Sequence, residues 1–156
     1  MAECKNIMVY VETAEGNPVK VGLEMLSPAK KLADKVTAVV IGGGVADAAK
    51  EVAKAGADQV ICVDSEDYKE FNLDAYAQVL VELVKEENPE AVFVGGTQDG
   101  KDIAPVVAAK CNTGCASDVL DIKAEDGEVI YTCPLYGGTV LELSLIHISE
   151  PTRLQL

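Results

Sequence analysis

Tryptophan is absent from these 156 residues, and aromatic residues together make up only 4%. Stacking platforms for bases or sugars are therefore not expected. Basic residues are also few, 13 against 26 acidic ones, for a formal net charge of −13. A surface of that sign cannot neutralise phosphates, so DNA and RNA are not expected partners. It favours solubility and, at low salt, steering towards basic protein surfaces. No apolar run approaches the ~20 residues of a membrane span, so membrane insertion is not expected. What remains is globular: 49% hydrophobic and 25% charged, in a length that predicts one domain able to bury its own core.

The five cysteines, Cys4, Cys62, Cys111, Cys115 and Cys133, are odd in number and widely spread. With no secretory leader pattern, they predict a reducing compartment and a cytoplasmic protein. Cys111 and Cys115 form C-x-x-x-C, but no second pair or neighbouring histidine completes a metal set, so no metal is expected.

Apolar and glycine-bearing stretches alternate through the first two thirds of the chain. Asn6–Glu12 reads as a buried first strand, Val36–Ile41 as a second, uniformly apolar as parallel strands covered on both faces are, and Gln59–Val63 and the short apolar Ala91–Val94 as a third and fourth. Between them, Val19–Asp34, the stretch after Gly44, and Leu73–Glu87 carry helical spacing. In the first of these, Ser27 and Pro28 mark either a late helix start or a bend. Leu73–Glu87 places Tyr76, Leu80, Leu83 and Val84 on one face and ends at Asn88–Pro89. The order β-α-β-α-β-α-β-α predicts right-handed parallel crossovers. After Cys111 the pattern changes to short strands, Val119–Ala124, Glu128–Pro134 and Thr139–Glu142, with turns at Glu125–Gly127 and Tyr136–Gly138. The expected fold class is α/β, a Rossmann-like parallel sheet with an antiparallel C-terminal edge.

Two strand–glycine–helix corners are candidates for ligand contact. The first is Gly42–Gly44, which departs from the dinucleotide fingerprint because Asp47 occupies its third glycine position. The second runs Gly95–Gly100, with a helix expected to open near Lys101 or Asp102. Such corners bind anions, and Gly95, Gly96, Thr97 and Gly100 form the candidate cofactor-contact loop. The spacing of Gly95, Gly100 and Lys101 comes within one residue of a Walker A loop. Asp102 stands where a Mg²⁺-binding hydroxyl is needed, which counts against nucleotide hydrolysis. A tight turn with an acid near a helix N-terminus is the simpler reading. No catalytic constellation is expected: a nucleophilic Cys111 or Cys115 lacks a base, and Asp99, Asp102 and Asp118 read as turn or cap residues.

Four stretches together carry a family resemblance: the Tyr10–Thr13 opening, Val40–Val60, Phe93–Val119 and Pro134–Leu141. In order and spacing they resemble the N-terminal domain of the electron-transfer flavoprotein alpha subunit. The resemblance implies a domain of the adenine-nucleotide alpha-hydrolase type, paired with a beta subunit of similar fold. It implies a heterodimeric carrier that passes electrons from dehydrogenases, such as acyl-CoA dehydrogenases, to an acceptor. It also implies that the redox FAD sits mainly in a second alpha domain, so none of the family's flavin-binding residues carries over to a position here. The alternative reading is a stand-alone adenine-nucleotide-binding module of the stress-protein type.

Leu143–Arg153 resembles a peptide encoded by one frame of a transposon adapter used in sequencing libraries. Residues 1–142 are therefore expected to form the domain and 143–156 a non-native tail. The competing reading has Leu143, Leu145 and Ile148 extending the last strand. His147, the only histidine, falls in this tail, so no histidine chemistry is expected.

Overall fold

In the computed structural model, which describes residues 4–125, 128–135, 140–147 and 153–155, strand β1 (Cys4–Tyr10) lies at the centre of the main sheet. It pairs in parallel with β4 (Ala33–Gly42) on one side and β6 (Ala91–Val94) on the other. Beyond β4 lies β5 (Gln59–Asp64), also parallel, and just after β1 the two-residue strands β2 (Thr13–Ala14) and β3 (Asn17–Pro18) form a small antiparallel pair. Alternate residues of β1 and the segment after it enter two cores. Ile7, Val9 and Val11 point into one; Met8 and Tyr10 point into the other. From Ile7 to Val11 the chain is buried on both faces and has no polar side, hence the unbroken apolar spelling after Lys5 and Asn6.

Handedness explains which helix lies on which face. α1 (Lys20–Leu32) and α2 (Ala46–Lys54) carry the chain from β1 to β4 and from β4 to β5, in one direction across the sheet. Both supply the first core, through Leu26, Ala29, Ala48 and Val52. α3 (Leu73–Glu87) brings the chain back across β1 to β6, and right-handed crossovers then require the opposite face. It packs there with α4 (Gln98–Lys110), through Tyr76, Leu80, Val84, Ile103 and Val107. The order β5-β4-β1-β6 reverses direction between β1 and β6, and an open α/β sheet places its ligand crevice beyond the carboxyl ends at that point.

Several boundaries differ from the sequence reading. Of the two readings left open for Val19–Asp34, the late start at Ser27–Pro28 is excluded, because α1 begins at Lys20 and continues through Pro28. Leu26 and Ala29, buried against the sheet on either side of the proline, hold the helix there despite the lost N–H. α4 opens at Gln98, three residues before Lys101, because Thr97 caps it. Gly100 and Lys101 are therefore helical. The loop Asp64–Asn72 contains a single 3-10 turn, Glu66–Tyr68.

The antiparallel strands form a sheet of their own rather than hydrogen-bonding to the parallel one. β8 (Asp121–Glu125), β9 (Glu128–Leu135) and β10 (Val140–His147) pair in the order β10-β9-β8. β10 continues past Glu142, with its register running to His147 opposite Glu128. The parallel sheet instead extends through β11 (Arg153–Gln155) to the short β7 (Cys115–Ala116). Asp126 and Gly127 of the expected first turn, and the expected turn at Tyr136–Gly138, lie outside the described residues.

Candidate functional site

Both glycine corners project from the carboxyl ends of the parallel strands, and in both the chain's own carboxylates occupy the anion position. After β6, Gly95 is buried against α1, where an added Cβ would lie 2.8 Å from Val21 Cγ1. Gly96 is exposed, with open space where a Cβ would stand. Thr97 Oγ1 accepts from the Gly100 amide at 3.0 Å, the usual N-cap bond. The same hydroxyl donates to the Glu12 carboxylate at the end of β1. Glu12 thus bridges the β1–β6 reversal and sits at the positive end of α4, the place an anionic ligand would take. Burial pushes its carboxyl above the usual range; the Thr97 hydrogen bond opposes this and the charge of Asp99 adds to it.

The corner after β4 reaches a similar end by another route. Gly44 adopts φ +71°, a conformation that favours glycine, and its amide donates to Asp64 Oδ1 at 2.7 Å. The helix that follows has Val45 at its N-cap and no side-chain cap. A Cβ at Gly43 would meet Lys69 Cα at 3.1 Å, so close packing accounts for that glycine.

The candidate residues Gly95, Gly96, Thr97 and Gly100 do cluster, but as a capped, closed turn. Lys101, the Walker-like lysine, pairs with Asp118 at 3.0 Å. Asp102 accepts from the Gln98 side chain at 3.3 Å. Glu12 had no local signal in the sequence, since its partner lies 85 positions away. Cys111 caps the C-terminus of α4 and Cys115 begins β7; partial burial raises both thiols, unfavourably for a nucleophile. Among the described residues no cluster of three or more His, Cys, Asp or Glu could hold a metal ion. No helix among them is long and apolar enough to cross a membrane.

Two cavities flank these corners. One, of 440 Å³, is apolar and lies between α1 and the start of the second sheet, lined by Val21, Met25, Phe93, Val119, Leu120 and Ile122. Leu120 is 64% exposed, the one large hydrophobic residue among those described that faces solvent to that degree. The other, of 300 Å³, lies beyond the ends of β1 and β4 and is lined by Glu12, Glu15 and Asp99 among others.

A parallel sheet with helices on both faces and glycine corners at its carboxyl ends defines a Rossmann-like domain. The chain belongs to the electron transfer flavoprotein domain family, whose model matches residues 7–148. It is 39% identical to an electron transfer flavoprotein subunit alpha of Syntrophomonas wolfei, over 85% of this chain and 42% of that protein. It is 36% identical to the alpha subunit of Clostridium acetobutylicum, over 90% and 44%. It is 38% identical to an acryloyl-CoA reductase electron transfer subunit beta of Anaerotignum propionicum, over 88% and 45%. The chain thus spans less than half the length of these relatives.

The family implies FAD, and a dinucleotide needs free amide donors for its pyrophosphate. Here the Gly44 and Gly100 amides are taken internally, and Glu12, Glu15 and Asp99 line the adjoining cavity. The residues at these corners do not fit that group.

Proposed function

We propose that this domain is the scaffold and partner-binding half of an electron-transfer flavoprotein alpha subunit. The carrier is a heterodimer with a beta subunit; it moves electrons between a cytoplasmic dehydrogenase, of the acyl-CoA type, and an acceptor. Its FAD is held by parts of the protein other than these corners. The observation that carries the reading is the closure of the β1–β6 crevice by the Glu12–Thr97–Gly100 chain of hydrogen bonds, which leaves a supporting role for a domain whose family is redox-active. The relatives' names, which include an acryloyl-CoA reductase subunit, favour a thioester-linked redox partner. The exposed Leu120 beside its apolar cavity favours a protein-covered surface there.

The test is co-expression with the beta subunit of a related carrier, followed by desalting and gel filtration. The expected result is a 1:1 complex, weakened by Leu120→Asp, and an alpha fragment without visible flavin absorbance when purified alone. Stoichiometric flavin or AMP retained by the isolated chain would overturn the reading in favour of the stand-alone nucleotide-binding module. Residues 143–156 are proposed to be non-native, and a chain ending at Glu142 should still unfold cooperatively through its β5-β4-β1-β6 core. Loss of cooperativity in that truncation would show the tail to be structural.

A further inference from the structure

The chain has only seven aromatic residues, five Tyr and two Phe. Four of them, Tyr10, Tyr68, Phe71 and Tyr76, line the single 300 Å³ cavity beyond the ends of β1 and β4. Phe71 and Tyr68 each stand edge-on to Tyr76, with centroids 5.0 and 5.7 Å away and planes inclined by 73° and 77°. The Tyr76 hydroxyl is fixed by donation to the Tyr68 carbonyl at 2.5 Å. Into the same space come the carboxylates of Glu12, Glu15 and Asp99. Lys69 is the one basic residue in the lining, and it pairs with Glu66 at 3.8 Å.

Tyr10 adds an independent observation. It lines the cavity and is only 2% exposed. Burial, then the neighbouring charges of Glu12 and Asp99, hold its phenol far above the usual range, so it stays a neutral hydroxyl. Ring faces attract positive charge, three carboxylates reinforce the attraction, and phosphates are repelled. The volume is at the small end of the roughly 300–1,000 Å³ typical of ligand pockets.

We propose that this cavity binds a small organic ammonium ion, its charge among Glu12, Glu15 and Asp99 and its alkyl groups against Tyr68, Phe71 and Tyr76. The proposal does not depend on the electron-carrier reading, because no redox partner enters it.

The test is calorimetric titration of the full chain, at low ionic strength, with choline, with choline's uncharged tert-butyl isostere, and with AMP. Choline is expected to saturate and to bind at least about tenfold more tightly than the isostere. Asp99→Asn should weaken choline several-fold and leave the isostere unchanged. This comparison of two ligands on the unaltered protein stands even where a variant folds poorly. Equal binding of the isostere, no saturable choline binding in the millimolar range, or tighter binding of AMP would each overturn the proposal.

Discussion

The two glycine corners look alike in sequence and solve the same problem differently. After β4, three glycines turn the chain, and an exposed carboxylate, Asp64 at the end of the neighbouring strand β5, takes the Gly44 amide. After β6, two glycines suffice, because Thr97 caps α4 and relays its hydroxyl to the half-buried Glu12. The first corner depends on backbone conformation, the second on side-chain bonding and close approach. A helix N-terminus must be satisfied by some acceptor; at α4 the Thr97 hydroxyl supplies one, whereas α2 has no side-chain cap and Asp64 serves only the Gly44 amide just before it.

The largest effect should separate the corners at once. A Cβ on Gly100 would lie 1.9 Å from the Gly95 carbonyl oxygen, a backbone atom that cannot rotate away. Gly100→Ala should therefore destabilise by ~3 kcal/mol, read from denaturant unfolding. At the other corner Gly44 has open space but φ +71°, so Gly44→Ala should cost only ~1–2 kcal/mol, from backbone strain alone. Equal losses would mean that the same constraint governs both turns.

Next in size is the cap. Thr97→Ala removes the N-cap acceptor and leaves Glu12 without its donor, and should cost ~1–2 kcal/mol; Thr97→Ser should restore most of it. The matching change, Asp64→Ala, removes one exposed acceptor and should cost ~0.5 kcal/mol. If Asp64→Ala proved the more damaging, the first corner would be the one that depends on its side chain.

Much of this was legible beforehand. Leu73–Glu87 was read with the bounds α3 has, because Asn72 and Asn88 mark its ends: the first caps Ala75, the second turns left-handed at φ 45°. β4, β6 and most of β1 were legible because they had to be apolar on both faces; β5, at the sheet edge, is only partly buried and was legible from its β-branched run alone. The start of α4 was not, because the Walker-like spacing drew Gly100 into a loop. Yet Thr97, with Asp99 in the next turn, is an ordinary N-cap signal. Pro28 left the start of α1 open for a different reason: local propensity disfavours proline within a helix, and burial of Leu26 and Ala29 overrides propensity. The antiparallel strands after Cys111 were legible too; that β8, β9 and β10 form a sheet of their own rather than an edge of the parallel one was not, since alternation fixes which face a residue occupies and not which strand lies alongside. Glu12 was missed because its role depends on a contact made only after β1 and β6 are paired.

The smallest effect tests sign rather than size, by setting Glu12 against Asp58. Asp58 accepts from Lys30 and from the Val36 amide, and these bonds, Lys30 first, lower its carboxyl below the ordinary value of 3.8. It contributes stability above that value and loses it as pH falls through the folded one. The pair is half exposed, so the contribution is small and weakens with salt. Glu12 is opposite: its carboxyl is raised above 4.5, chiefly by burial. Its stabilising contribution is full below 4.5, where the protonated form suits the buried site, and is lost as pH rises through the folded value. Glu12→Gln keeps an acceptor for the Thr97 hydroxyl and removes the charge. The variant should therefore gain on the parent at neutral pH, and the gain should shrink as pH falls to 4.5 and below. Denaturant midpoints of both proteins across that range measure it. A gain that did not vary with pH, or that grew on acidification, would show that Glu12 is held at α4 as a favoured anion, and that the second corner works as the first does.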